Sequence, residues 1–326
     1  MLSIRKSGLQ TAVQDLGRTG FQRYGVIASG VMDPFAHRIA NLLVGNIETS
    51  PTLEIALSGP VIEFETDHFI AICGGDLSPS IDGKPLPMWR GHIIRKGSVL
   101  SFGEPKRGAR SYLAVAGSFD IPAVMDSHST YLRAGIGGFQ GRALKTGDTL
   151  KTVPISTEQL GIFQRTTEQS PDWLIPPARY HVQPVVRMIP GRQYPLFNEE
   201  SRTRIFEEAF TVSSNSDRMG YRLEGPELAL DQPKELISEA VAFGSVQVPA
   251  DGNPIVLLAD RQTTGGYPKI GQVASVDLPL ISQLKPGESL KFREISVKQA
   301  EQLYIEQEQQ IRQLKIGIQM KREEWT

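Results

Sequence analysis

Cysteine is nearly absent from this chain. Cys73 is the only one, which excludes an intrachain disulfide and a thiolate zinc site. An excess of one charge is missing too. The net charge is −1, and the 22% of charged residues mix both signs, so neither nucleic acid nor a polybasic membrane contact is expected. No run of about 18 apolar residues occurs, and the opening "MLSIRKSGLQ" has no signal-peptide core. A cytoplasmic location is the expectation. The five histidines, His37, His68, His92, His128 and His181, show no i, i+4 or H-x-H pairing, so no metal is expected. The phosphate loop G-x-x-x-x-G-K-[ST] and the nucleophile elbow G-x-S-x-G are both missing. "GIGGFQG", residues 135–141, misses G-x-G-x-x-G because Gln140 stands at the last glycine position. It reads either as a flexible hairpin or as an anion nest of glycine amides beside Arg142. Cys73, at the end of "FIAIC", reads as a buried small apolar residue.

What is present is a β-rich pattern. Short runs such as "HFIAICGG", "SYLAVAG", "VVRMIPG" and "PIVLLAD" are stopped by some of the 31 glycines and 22 prolines. The expected fold class is mainly β, with barrel-like units and few helices. The first helix is "DPFAHRIANLLVGN", with Asp33 as N-cap, Pro34 at the first position and Gly45 as terminator. Phe35, Ile39, Leu42 and Leu43 form its apolar stripe, with Asp33, His37 and Asn41 on another face. The second helix is C-terminal, with a seam of Ala300, Tyr304, Gln307, Ile311, Leu314 and Ile318 at four- and three-residue steps. A chain of 326 residues exceeds what one core usually serves. A faint repeat, "IALSGPVIEF" against "YRLEGPELAL" and "RKGSVLSF" against "KPGESLKF", suggests two related units. The expected division is 1–150, a linker at 151–185 packing through Phe163 and Trp173, a second unit at 186–296 and the helix at 297–326.

Four polar clusters stand at glycines or strand ends. Gln14, Asp15, Arg18 and Arg23 form the first; Ser216, Asp217 and Arg218 the second; Ser238, Glu239 and Gln247 the third. The fourth is "ADRQTTGGYPKIG", with Asp260, Arg261, Gln262, Thr263, Thr264, Gly265, Gly266, Tyr267 and Lys269. Any Asp–Arg pair among them can be a brace between loops. Four clusters in one chain favour a shared cleft.

The blocks "TAVQDLGRTGFQRYGVIASGVMDPFAHRIANLLVGN", "GGFQGRALKTGD", "SDRMGYRLEGP" and "SVQVPADGNPIVLLADRQTTGGYPKIGQV" together resemble the allophanate hydrolase subunit 2 family. This family is also called biotin-dependent carboxyltransferase-like and includes the C subunit of 5-oxoprolinase; a member in bacilli antagonises a sporulation-kinase inhibitor. The resemblance runs from about Ser7 to Phe292. It implies cyclophilin-like β-barrel units, companion A and B subunits of the 5-oxoprolinase, and ATP-driven cleavage of 5-oxo-L-proline to L-glutamate by the assembly. Which of them binds ATP is left open. Two alternatives stay open: a carboxyltransferase for a urea-type substrate using carboxybiotin on a separate carrier, and a non-catalytic protein that binds a kinase inhibitor resembling the B subunit. "QMKREE" matches a biotin-attachment motif only in part, so no covalent biotin is expected here. The chain alone is expected to be inactive.

A planar cyclic amide or urea needs donors at its oxygen and acceptors at its nitrogens. Gln262, Thr263 and the Gly265 and Gly266 amides suit the oxygen; Asp260, with Asp217 and Tyr267, suits the N–H and the chemistry. Asp15, Arg18, Arg142, Ser216, Arg218 and Gln247 complete the candidate substrate-binding set.

Overall fold

The computed structural model describes residues 1–155, 174–178, 180–181 and 183–323. Phe163 and Trp173, the expected anchors of the linker, lie outside the described residues. The chain forms two compact units: residues 1–18, 33–179 and 309–326 make unit 1, and residues 19–32 and 180–308 make unit 2.

Unit 1 is built of two antiparallel sheets. The six-stranded sheet runs in the order Thr149–Leu150, Leu2–Lys6, Val61–Phe64, Val99–Ser101, Ser80–Ile81, Lys84–Pro85. The five-stranded sheet runs Gln10–Gln14, Thr52–Ala56, Arg107–Val115, His68–Asp76, Gly91–Ile94. Period-two alternation sends Leu2, Ile4, Ile62 and Phe64 of the first sheet and Val13, Ile55, Ile70 and Leu113 of the second into one core. The strand His68–Asp76 is buried along nearly its whole length. Its inner face meets that core, and helix α1 (Pro34–Val44) packs on the strand and on Arg107–Val115. Cys73 is wholly buried, and burial pushes its thiol well up, so it behaves as a small core residue.

Helix α1 starts and stops where the sequence places it. Asp33 Oδ1 accepts from the Ala36 N–H at 2.9 Å, and Gly45 at φ 76° closes the last turn onto Asn41 and Leu42. The face carrying Asp33, His37 and Asn41 does not meet solvent: all three are fully buried. His37 Nδ1 bonds Thr52 Oγ1 at 2.9 Å, and Asn41 donates to the Ser50 carbonyl at 2.8 Å. The strand residue Thr52 and the turn before it thus satisfy a polar helix face that spacing alone would leave in water.

Unit 2 is a closed barrel of seven strands: Val185–Pro190, Lys269–Val273, Ser245–Gln247, Ile255–Leu257, Gly220–Glu224, Ala209–Val212 and Ser289–Glu294. Closure comes from a parallel pairing of Val185 to Lys291 through Met188 to Glu294; the other ladders are antiparallel. Val186, Met188, Phe210, Leu223, Val256 and Phe292 fill the interior. Full closure removes exposed sheet edges. Helix α2 (Glu199–Glu207) is capped by Asn198, which accepts from Ser201 N, and carries Glu199 and Glu200 in its first turn. Helix α3 spans Leu278–Ser282 and helix α4 Val297–Glu323. On α4, Ile311 and Ile318 of the expected seam are buried, while Tyr304 is half exposed.

The repeat holds for local strands only. Leu2–Lys6, the first strand of unit 1, pairs with Val61–Phe64 and Thr149–Leu150, whereas Val185–Pro190, the first strand of unit 2, pairs with Lys269–Val273 and Ser289–Glu294. The segment after Gly225 leaves the barrel strands, and Leu230 forms an isolated bridge with Phe197, which also lies outside them.

Candidate functional site

Asp15 and Arg18 belong to unit 1, and the residues from Ser216 to Tyr267 to unit 2. In unit 1, the strand Gln10–Gln14 delivers Asp15 to a buried position, where its carboxylate accepts four hydrogen bonds. The donors are Ser127 Oγ (2.7 Å), Ser129 Oγ (2.5 Å), His128 N (2.6 Å) and Gly17 N (2.8 Å). Burial pushes the Asp15 pKa up, but these bonds outweigh it, and the net shift is below the ordinary carboxylate value. Arg18 is completely buried and donates to the Ser129 carbonyl at 2.5 Å. Together they pin the 127–130 segment, with Gln14 Nε2 donating to the Thr130 carbonyl at 3.0 Å.

The glycine run beside this segment has a packing cause. Gly137 and Gly138 take φ of 68° and 54°, and a Cβ on either would strike Ser129 or Thr130. Arg142 holds Asp148 by two bonds, 2.6 and 2.8 Å, and donates to Gln140 Oε1 at 2.9 Å. Its fork is committed within the protein, and the Arg142 hydrogen bond holds the Asp148 pKa below its ordinary value.

In unit 2, the strand Ile255–Leu257 runs through buried Leu258 and Ala259 into Asp260. Arg218 meets it from the turn before Gly220–Glu224. Its Nε donates to Asp260 Oδ2 at 2.9 Å and its Nη2 to Oδ1 at 3.0 Å. Ser29 Oγ also donates to Oδ1, at 2.7 Å, and Arg218 Nη2 reaches the Gly30 carbonyl at 2.5 Å. Ser29 and Gly30 both take left-handed backbone, φ 54° and 101°. The buried ion pair thus fastens the 29–30 turn to the barrel. Both Asp260 oxygens are engaged.

The remaining predicted residues divide by role. Asp217 is exposed and caps its own turn, accepting from Met219 N at 2.8 Å and Gly220 N at 3.3 Å. Ser216 bonds Arg222 across the same turn, accepting from its N–H at 3.1 Å. Gln247 is buried and donates to the Tyr267 carbonyl at 3.3 Å. A Cβ on Gly265 would come within 2.5 Å of Gln247 Nε2, so the glycine permits this approach. Gly266 lies beside Ser238. Gln262 is exposed, Thr263 accepts from Val241 N through its carbonyl, and Tyr267 is half exposed.

A second polar group adjoins this turn. Lys269 Nζ donates to Glu239 Oε2 at 2.9 Å, and Gln193 joins them, accepting from Lys269 N at 2.7 Å and donating to Glu239 at 3.3 Å. Glu239 pairs directly with Gly265 in a two-stranded sheet. The Lys269 hydrogen bond holds the Glu239 pKa below its ordinary value. Gln193 had no signal in the sequence, since its partners stand 46 and 76 positions away. Arg261 stacks over Phe243 at 5.8 Å and donates to the Val241 and Leu258 carbonyls. Burial lowers its pKa, because desolvation disfavours the cation.

Residues 24–294 match the family described as "Carboxyltransferase domain, subdomain A and B". The chain belongs to this family. It is 40% identical to the 5-oxoprolinase C subunit of Escherichia coli, over 94% of this chain and 97% of that protein. The 5-oxoprolinase C subunit of Haemophilus influenzae is 38% identical over 93% and 94%. The urea amidolyase of Saccharomyces cerevisiae is 31% identical over 96% of this chain, which spans 18% of that protein. Among solved structures, Kluyveromyces lactis urea amidolyase superposes with a TM-score of 0.85 at 30% identity, over 95% of this chain and 20% of that one. Among the described residues, no helix is long and apolar enough to cross a membrane.

Proposed function

We propose that this chain is the C subunit of a cytoplasmic 5-oxoprolinase, and that with the A and B subunits it opens 5-oxo-L-proline to L-glutamate at the expense of ATP. The observation that supports this reading is the near end-to-end match to two 5-oxoprolinase C subunits. The amidolyases and carboxylases match over a fraction of their length.

A lactam carbonyl resists attack until its oxygen is polarised and its nitrogen is managed as a leaving group. In our reading the Gly265–Tyr267 turn and the Gln193–Glu239–Lys269 group face the lactam. The Lys269 ammonium, on a side chain 18% exposed, donates to the developing oxyanion, and Glu239 accepts the ring N–H. Asp260 and Arg218 fasten the 29–30 turn to the barrel, and Asp15 and Arg142 brace unit 1. ATP chemistry belongs to the assembly. The test is ATP-dependent 5-oxoproline hydrolysis by the three co-purified subunits, with each omitted in turn. A second reading, carboxyl transfer from carboxybiotin on a separate carrier, draws on the likeness to urea carboxylase, which has a TM-score of 0.85. It predicts biotin-dependent carboxylation in the same assay format.

A further inference from the structure

Unit 2 carries an open pocket of about 800 Å³ on the side of the Gly266–Pro268 turn where the chain leaves the barrel. Leu228, Leu230, Leu236 and Val248 make apolar walls, and Tyr267 lines the pocket with them. The volume lies in the upper part of the range for drug-sized ligands. A small lactam would leave most of it to water. The mouth carries Glu227, Glu235 and Asp251 against Lys234. That surplus of carboxylates disfavours highly charged anions such as nucleoside phosphates at the mouth. Beside Leu236, Ile237 is 89% exposed, and Tyr267 is 52% exposed. Two large apolar side chains flanking an apolar pocket mark a surface that another surface covers.

We propose that this pocket docks an extended polypeptide segment of a companion subunit, apolar at its centre and flanked by lysine or arginine. The inference rests on the reading of this chain as one subunit of an assembly. Apolar side chains of the segment would fill the pocket and cover Ile237, and its cations would meet the acidic mouth, which gives orientation and a salt-dependent on-rate. Because Gly266 and Tyr267 line the pocket, the docked segment would abut the turn assigned above to the substrate. The site would then be complete only in the assembly.

The test uses the full chain with the purified A and B subunits. Ala250 is exposed and lines the pocket, so Ala250→Trp fills it without touching the core. We expect the dissociation constant for assembly to rise about 10-fold or more, in the range of a single lost anchor. The double variant Glu227→Lys, Glu235→Lys should also weaken assembly and flatten its salt dependence. Amide exchange across residues 227–238 should slow on assembly of the wild-type chain and not on addition of 5-oxoproline alone. Unchanged dissociation constants for both folded variants would overturn the pocket assignment and leave the subunit reading intact. Slowed exchange with 5-oxoproline alone would overturn it in favour of a substrate pocket. Failure of the wild-type chain to bind either companion would overturn both.

Discussion

Replacing Asp260 by Asn tests whether the Arg218–Asp260 pair is a brace. The substitution keeps size and removes charge, leaving a guanidinium 6% exposed without its counter-ion. Breaking a buried pair on one side costs about 3–5 kcal/mol. A kilocalorie moves the midpoint by about 2–4 °C in a unit of this size, so Asp260→Asn should melt about 6–20 °C below wild type by calorimetry. The double variant Arg218→Met, Asp260→Leu removes both charges and should recover a large part of that loss, less about 1 kcal/mol for the Ser29 hydroxyl left without its acceptor. Below its melting point, the assembled Asp260→Asn complex should keep its rate within a few-fold. A melting point within about 2 °C of wild type would refute the brace, as would a double variant no more stable than the single one. A loss of about 10²–10⁴ in rate from folded complex would instead make Asp260 a proton-transfer group.

Other outcomes follow from the same geometry. Lys269→Met should lower kcat of the assembled complex about 10²–10³-fold with little change in melting temperature, and Glu239→Gln should raise KM. Gly138→Ala places a Cβ against Thr130 at φ 54° and should destabilise unit 1 by about 2 kcal/mol or more, read by denaturant titration. His37, His68 and His92 all sit near a pKa of about 4, mainly through burial. The folded protein therefore keeps them neutral while the unfolded chain takes up protons below about pH 6.5. Stability should be full above about pH 6.5 and fall as pH drops toward 4, on the order of 3 kcal/mol for fully buried His37 alone. His37→Gln should flatten that slope. Asp15, with its lowered pKa, adds a further loss below the ordinary carboxylate range, where its hydrogen bonds are lost on protonation.

Much of the fold is legible in local chemistry. Asp33, Pro34 and Gly45 mark α1 because caps and terminators act within one turn. The apolar runs mark strands because alternation and Gly or Pro stops are local. Sheet order is not local: the barrel closes through Val185 and Lys291, 106 positions apart in the numbering, and no short-range signal sets that register. The candidate site divides the same way. Polar loops after glycines are visible in the sequence. Which are saturated is not, because the partners of Asp260 include Ser29, 231 positions away, and those of Asp15 include Ser129, 114 positions away. Buried His37 and Asn41 show the same limit: spacing places them on a polar face, and only the strand residue Thr52 and the Ser50 carbonyl before it explain their burial.

The most direct measurement is glutamate release from 5-oxo-L-proline by the A and B subunits with and without this chain, with ATP present and absent. The account predicts robust turnover only with all three proteins and ATP, and none from this chain alone. Equal turnover by the A and B subunits without it, or ATP-dependent turnover by the isolated chain, would contradict the account.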